Sequence, residues 1–412
     1  MPSERHTEAD RDEQASPGTE RSRLRRLGPA VRHNLRGFRA ALDCRGLNRE
    51  RVCRIAAERV SELPATTRTE LQATARAAGV PYRDLLAFTL FDESVSPDGC
   101  TVAAATGAAT AGGGTVFFKQ SDKDGAASFE GQGYHRHRQV NVVRTERPTG
   151  RNHVVGVTAA GSTALKMGMN DRGVAVGSNF AATAAFDADE ADLDARMAVS
   201  RGEYLRQGLL HGDTAVEVAQ HVAARLLESP MASPGIIEVA DADRVVVLEG
   251  AQTSLAGEWT DDGVVVRANA FGLLDDRSPL VSELASSRRR ADRAETLLAA
   301  ADGAVAVGTM RDLSVDHANG PGDDSICRHE TDDYTDAASL SAAVFDIDGE
   351  RPAASDCYLA LGTPCHAWRS DEGDGWLRLS PTATADDVPE RFLTGEAWLD
   401  YYSTAANDGP VD

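Results

Sequence analysis

The tetrapeptide Asp98-Gly99-Cys100-Thr101 joins a charged stretch to a run of small, β-forming residues, Thr101-Val102-Ala103-Ala104-Ala105-Thr106. A thiol with a pKa near 8.5 is mostly protonated at pH 7, so Cys100 needs a base to become a nucleophile. Cutting the Gly99–Cys100 bond would supply one. The new α-amine titrates at about 7.7–8.0 and sits on the same residue as the sulfur. The cut itself can use that sulfur: attack on the Gly99 carbonyl, an N-to-S acyl shift, then hydrolysis of the thioester. Gly99 leaves the carbonyl unobstructed. The plainer reading is a buried structural cysteine, the ordinary place for this residue type.

Four other positions offer groups that would assist such a nucleophile. In Phe117-Phe118-Lys119-Gln120-Ser121-Asp122-Lys123-Asp124-Gly125 a strand ends in a turn, with Asp122 at its tip to orient an amine or a substrate amide. Gly168-Met169-Asn170-Asp171-Arg172-Gly173 is a tight turn feeding Val174-Ala175-Val176-Gly177-Ser178-Asn179. Val264-Val265-Val266-Arg267-Ala268-Asn269 also ends in an amide. Asn179 and Asn269 could donate to a developing oxyanion, although asparagine often merely terminates a strand. Ser286-Ser287-Arg288-Arg289-Arg290 opens a helix from which Arg288 could balance a carboxylate, unless it is a solvated basic face. His135, His137 and His153 raise a metal reading, but no acid or further ligand accompanies them and none of the six cysteines forms a CxxC pair. The expected site therefore has no metal and no bound cofactor.

These residues need elements to hold them. Residues 1–27 are charged, contain Pro, Gly and Ser, and lack periodicity; they read as a disordered tail. A helical region, 28–99, follows. Thr67-x-x-Glu70 reads as a capping box with Gly79 as the stop, and Pro81 starts a helix over Tyr82–Phe91. After Cys100 short β-type runs dominate: Thr101–Thr106, Thr115–Phe118, Gln139–Val143, His153–Thr158 and Val174–Ser178. Helices are expected near Asp192–Leu210 and Thr214–Leu227, then strands at Gly235–Val239, Arg244–Leu248 and Val264–Ala268. Helices Val281–Ala300 and Ala304–Leu313 precede strands Ser339–Ile347 and Cys357–Leu361. Blocks of strands alternating with blocks of helices indicate α+β layers rather than regular βαβ units. The domain runs over 100–400, with 401–412 as a tail.

The chain has 64 acidic against 43 basic residues, a net charge of −21, and only three lysines, Lys119, Lys123 and Lys166. Acid excess with arginine in place of lysine suggests solubility in concentrated salt, where carboxylate repulsion is screened. It argues against a nucleic-acid partner, since neutralising phosphates takes a basic surface. No apolar run of about 18 residues is present, so no spanning helix is expected. Arg25-Arg26 is followed by too short and polar a segment for a twin-arginine signal, leaving a cytoplasmic protein as the expectation. Nothing in the sequence sets the oligomeric state.

Taken together, these segments resemble the acyl-coenzyme A:6-aminopenicillanate acyltransferase family, cysteine-type members of the N-terminal-nucleophile hydrolases. The landmarks, in order, are Ala78-Gly79-Val80-Pro81-Tyr82-Arg83-Asp84-Leu85-Leu86, Asp98-Gly99-Cys100-Thr101, Lys119-Gln120-Ser121-Asp122, Gly168–Asn179 and Arg267-Ala268-Asn269. Ser325-Ile326-Cys327-Arg328 and Gly362-Thr363-Pro364-Cys365 are similar to C-terminal patterns of the family. The likeness spans roughly 50–365. It implies an αββα sandwich of two stacked antiparallel sheets, a helical pro-region, and a nucleophile at Cys100 exposed by cleavage after Gly99. It further implies that Asp122 holds the α-amine and that Asn269 serves the oxyanion and the amine. Asn179 and Arg288 match positions used in related bile-salt and penicillin V hydrolases. The implied substrate is a small amide or an acyl thioester, hydrolysed or transferred. Two departures stand out: Gln120-Ser121 replaces the family's Asn-Trp before the acid, and an arginine expected before Ser339 is missing, with Asp336 nearby. The Lys-x-Ser-Asp sequence also resembles the dipeptidase branch, and an uncut, non-catalytic binding protein of the same fold is the rival from another class.

Overall fold

The computed structural model describes residues 17–95, 98–124, 139–181, 183, 197–229, 232–251, 254–274, 281–329, 337–366, 376–396 and 398. Four helices open the chain: α1 Pro17–Cys44, α2 Arg49–Glu58, α3 Ala65–Ala78 and α4 Tyr82–Val95. Helix thus begins at Pro17, inside the stretch expected to be a tail. Thr67 does not cap α3. It lies within the helix, its hydroxyl donating to Glu203 and accepting from Arg206, while Glu70 pairs with Arg144 at 2.6 Å. Tertiary partners outcompeted the local cap.

The strands form two sheets, and every neighbouring pair within them is antiparallel. The first contains β1 Asp98–Thr106, β2 Thr115–Asp124, β10 Gly263–Arg267, β11 Ala337–Ile347, β12 Asp356–Leu361 and β13 Leu377–Leu379, in the order β10-β1-β2-β11-β12-β13. The second runs in sequence order: β3 Asn141–Glu146, β4 Val154–Ala159, β5 Leu165–Asn170, β6 Ala175–Phe180, β7 Gly235–Ala240, β8 Val245–Ala251 and β9 Ser254–Thr260. Strands β5, β9 and β13 had no counterpart in the sequence reading.

Alternation along the strands builds the layers. Val102, Ala104 and Phe117 face Val155, Val157, Met167 and Met169 across the gap between the sheets. On the opposite face of the first sheet, Ala103, Ala105 and Phe118 pack on Ala294 and Leu298 of α7 (Val281–Ala300) and on Met310 and Leu313 of α8 (Val307–Ser314). The outer face of the second sheet, with Val176, Ile237 and Val239, packs on α5 (Arg201–His211) and α6 (Ala215–Glu228). The result is helix, sheet, sheet, helix, as the resemblance implied. Near the C-terminal end of the described residues lies α9, Glu390–Thr394.

Helices α1–α4 share the second-sheet core. Val31, Leu35, Leu71, Leu85 and Phe88 belong to the same buried cluster as Leu205, Leu209 and Ile237. Large buried side chains are each worth roughly 1.5–3 kcal/mol of apolar burial, so this segment is held by far more than its covalent link at Gly99. None of the three lysines is on the exposed surface: Lys119 and Lys123 are buried and Lys166 is half-buried. Among the described residues no helix is long and apolar enough to cross a membrane.

Candidate active site

Cys100 is the third residue of β1, not the first. The ladder with β2 reaches back to Asp98 opposite Lys123, pairing Gly99 with Asp122 and Cys100 with Ser121. For the same reason Asp122 lies inside β2 rather than at its tip. Cys100 is only 1% exposed.

The backbone on either side of the Cys100 side chain is gripped. Its N–H donates to Asn269 Oδ1 at 3.0 Å, and its carbonyl accepts from Arg290 Nη1 at 2.5 Å. Arg290 also donates to Thr101 Oγ1 at 3.0 Å and, through Nη2, to Asn269 Oδ1 at 2.8 Å. Asn269 sits two residues past the end of β10. Its Nδ2 donates to the Phe180 carbonyl of the second sheet at 2.7 Å, and its backbone N–H donates to Ser287 Oγ on α7 at 2.8 Å. One side chain thereby ties both sheets to the cysteine. Burial pushes the Arg290 guanidinium down to about 10, with repulsion from Arg328 adding and attraction to Asp122 and to a Cys100 thiolate opposing. It stays charged at neutral pH.

Arg288, the sequence expectation, is exposed; the arginine that contacts Cys100 is Arg290, which is buried. The helix surface repeats every three to four residues, so Ser287, Arg290, Ala294 and Leu298 share the buried face of α7 and Arg288 rotates away from it. Asn179 also departs from expectation. Its Nδ2 donates to the carbonyls of Arg267 at 3.1 Å and Ala268 at 2.8 Å, so the amide braces the approach to Asn269 and does not aim at an oxyanion. Its Oδ1 accepts from Lys119 Nζ at 3.1 Å.

Asp122 is fully buried on the Gly99 side of the bond. Its Oδ1 accepts from Ser339 Oγ at 2.7 Å, and its Oδ2 lies 3.6 Å from Arg328 Nη1. The Ser339 hydroxyl has no rotational choice, because it accepts from Gln120 Nε2 at 2.8 Å and from the Arg328 backbone N–H at 2.9 Å. A register shift in β11 between Ser339 and Ser341 aims it there. Gln120 thus serves Asp122 indirectly, through Ser339. A Cβ on Gly99 would collide with the Arg328 guanidinium and come within 3.2 Å of the Asp122 side chain, so glycine is what lets both approach the bond.

The gap between the sheets holds a polar array that the sequence did not reveal. The Lys119 stem crosses Gly177, where a Cβ would come within 3.2 Å of it, and Gly177 pairs with Glu238. Glu238 is completely buried, and burial pushes its carboxyl up to about 8 despite Lys119, Arg267 and Arg201. Its neighbour Glu249 accepts from the backbone N–H groups of Gly272, Leu273 and Leu274 at 2.7–2.9 Å, fixing the segment after Asn269. Because folded Glu238 keeps a proton that the unfolded chain loses near 4.5, its contribution to stability is complete below that pH and lost as pH rises through about 8. Glu238→Gln should therefore gain on the wild type across this window, by a few kcal/mol in all at about 1.4 kcal/mol per pH unit. Denaturant unfolding of both proteins between those pH values checks it; a difference independent of pH would contradict a protonated Glu238.

His135 and His137 lie outside the described residues. His153 is half-buried just before β4, its ring pushed below the usual imidazole range by burial. Cys53, Cys100, Cys327, Cys357 and Cys365 are all buried thiols without disulfides.

No family model matches the chain, and no curated protein matches it. Among solved structures it is similar to a Caenorhabditis elegans ortholog of N-acylethanolamine-hydrolyzing acid amidase, at 12% identity over 60% of this chain and 92% of that one, with a TM-score of 0.39. It is similar to penicillin V acylase from Agrobacterium tumefaciens, at 13% identity over 64% and 83%, TM-score 0.35. It is also similar to a mutant conjugated bile acid hydrolase from Clostridium perfringens, at 10% identity over 71% and 94%, TM-score 0.40. Likeness at this level transfers neither residues nor activity to this chain.

Proposed function

We propose that this protein is a self-processing cysteine amidohydrolase or acyltransferase that cuts its own Gly99–Cys100 bond and then works through a thioester on Cys100. The observation that carries the reading is the double hold on Cys100: Asn269 on its backbone nitrogen and Arg290 on its carbonyl. Those are the atoms that must be placed when a backbone nitrogen becomes a catalytic amine.

In the continuous chain the Cys100 sulfur attacks the Gly99 carbonyl carbon. The C–S bond forms, the C–N bond breaks, and the thiol proton ends on the departing nitrogen. Water then cleaves the thioester, leaving a Gly99 carboxylate and a free Cys100 α-amine. Asn269 Oδ1, already the acceptor of that nitrogen's hydrogen, orients the amine with its lone pair toward the sulfur. Asp122, flanking Gly99, offers a negative charge to the amine when it is protonated. Arg290 favours the thiolate that attacks the substrate amide. The amine returns the proton to the leaving nitrogen, and water or an acceptor amine resolves the acyl-enzyme. Helices α1–α4 remain docked after the cut, because their core is continuous with that of the second sheet.

The burial of Cys100 gives processing a second purpose. Severing the bond frees Asp98-Gly99 to leave the strand, which opens the sulfur to substrate. Intact mass before and after exposure to an activated acyl donor tests the proposal: two fragments are expected, with the acyl increment only on the one beginning at Cys100.

A further inference from the structure

Away from Cys100, four side chains from three separate segments converge on one point. His317 follows α8, Cys327 and His329 lie on the loop before β11, and Cys365 lies in the turn after β12. One donor atom from each lies within 4.8 Å of all the others. His329 Nε2 is 3.1 Å from His317 Nε2, 3.2 Å from Cys365 Sγ and 3.8 Å from Cys327 Sγ.

Hydrogen bonding does not account for this grouping. An imidazole nitrogen carries either one hydrogen or one lone pair, so His329 Nε2 cannot satisfy three such neighbours at once. A shared cation can. With metal–nitrogen bonds of about 2.0–2.1 Å and metal–sulfur bonds of about 2.3 Å, a tetrahedron has edges of roughly 3.3 Å between nitrogens and 3.6 Å between nitrogen and sulfur. The three observed separations fall within a few tenths of an ångström of those edges.

We propose that His317, Cys327, His329 and Cys365 bind one Zn²⁺ ion as a closed structural site. Two thiolates with two imidazoles form a borderline-soft, tetrahedral donor set suited to zinc, and four protein ligands leave no position for substrate. The backbone is already shaped for the ion. The Cys327 N–H donates to the Asp316 carbonyl at 3.1 Å, and the His329 N–H to the Pro321 carbonyl at 2.7 Å. Cys327, His329 and Cys365 are buried, while His317 is half-buried and marks the side open to entry. Arg328 stands between two of the ligands with its side chain turned to Asp122. The ion therefore staples the end of β12 to the loop that places Arg328. The spacing Cys-x-His plus two distant ligands contains no CxxC, which is why the motif was not legible.

The site is independent of the amidase reading, and Cys100→Ala should bind the metal as well as the wild type. The test is elemental analysis of the purified full-length chain, followed by stripping with a chelator and titration with Co²⁺. One zinc per chain is expected, then a thiolate-to-cobalt charge-transfer band saturating at one equivalent. Cys365→Ser should lose most of that band. If this variant does not fold, the wild-type titration decides alone. A wild-type chain that carries no zinc and, reduced, develops no thiolate–cobalt band would overturn the proposal. So would a Cys327–Cys365 disulfide that persists in reductant in place of metal uptake.

Discussion

Cys100→Ala should be recovered as one uncut chain and should hydrolyse nothing. The cut and the later chemistry both use the same sulfur, so a single atom controls two readouts. The packing cost of the change is small, because the side chain is short and the strand around it is held by ladders to both β2 and β10. The variant should therefore keep the wild-type circular dichroism spectrum. Cys100→Ser should cut slowly, since a hydroxyl is a weaker nucleophile at neutral pH than a thiol. Splitting of the Ala variant at the same bond would show that another group cleaves it.

Arg290→Met should slow both self-cleavage and amide turnover by roughly 10²–10³-fold, the usual cost of removing one preorganised charge from a reacting centre. The methionine fills the space but leaves the Cys100 carbonyl, Thr101 Oγ1 and Asn269 Oδ1 each short of a donor. Arg290→Lys separates charge from geometry. It keeps the cation near the thiolate yet cannot span three acceptors, so it should fall between the wild type and Met. Arg288→Met, two residues away on the exposed side of α7, should behave as the wild type. Cleavage half-times from gel densitometry and kcat on a shared substrate check the series. Equal losses at positions 288 and 290 would contradict the geometry.

Much of this arrangement was legible because it is local. Cys100, Asp122 and Asn269 lie in or just beyond strands whose alternation and turn residues are written in the chain. The alternating Val102 and Ala103, or Phe117 and Phe118, separate the gap between the sheets from the helix layer. What escaped was relational. Arg288, Arg289 and Arg290 are alike in sequence, and only the docking of α7 through Ala294 and Leu298 selects the third. Asn179 looked like an oxyanion donor until the two carbonyls of the 267–268 segment came within its reach. Thr67 met Glu203 and Arg206 from α5, which no window around α3 contains. The ligands His317, Cys327, His329 and Cys365 are brought together by loop closure across β11 and β12. Glu238 and Lys119 meet only when the two sheets stack.

The most direct test of the central claim is the intact mass and terminal sequence of the wild-type protein purified without protease. Two polypeptides are expected, one ending at Gly99 and the other beginning with an unblocked Cys100, and they should co-elute because their core is shared. A single unbroken chain that nonetheless turns over amides, or a cut at any other bond, would contradict the account.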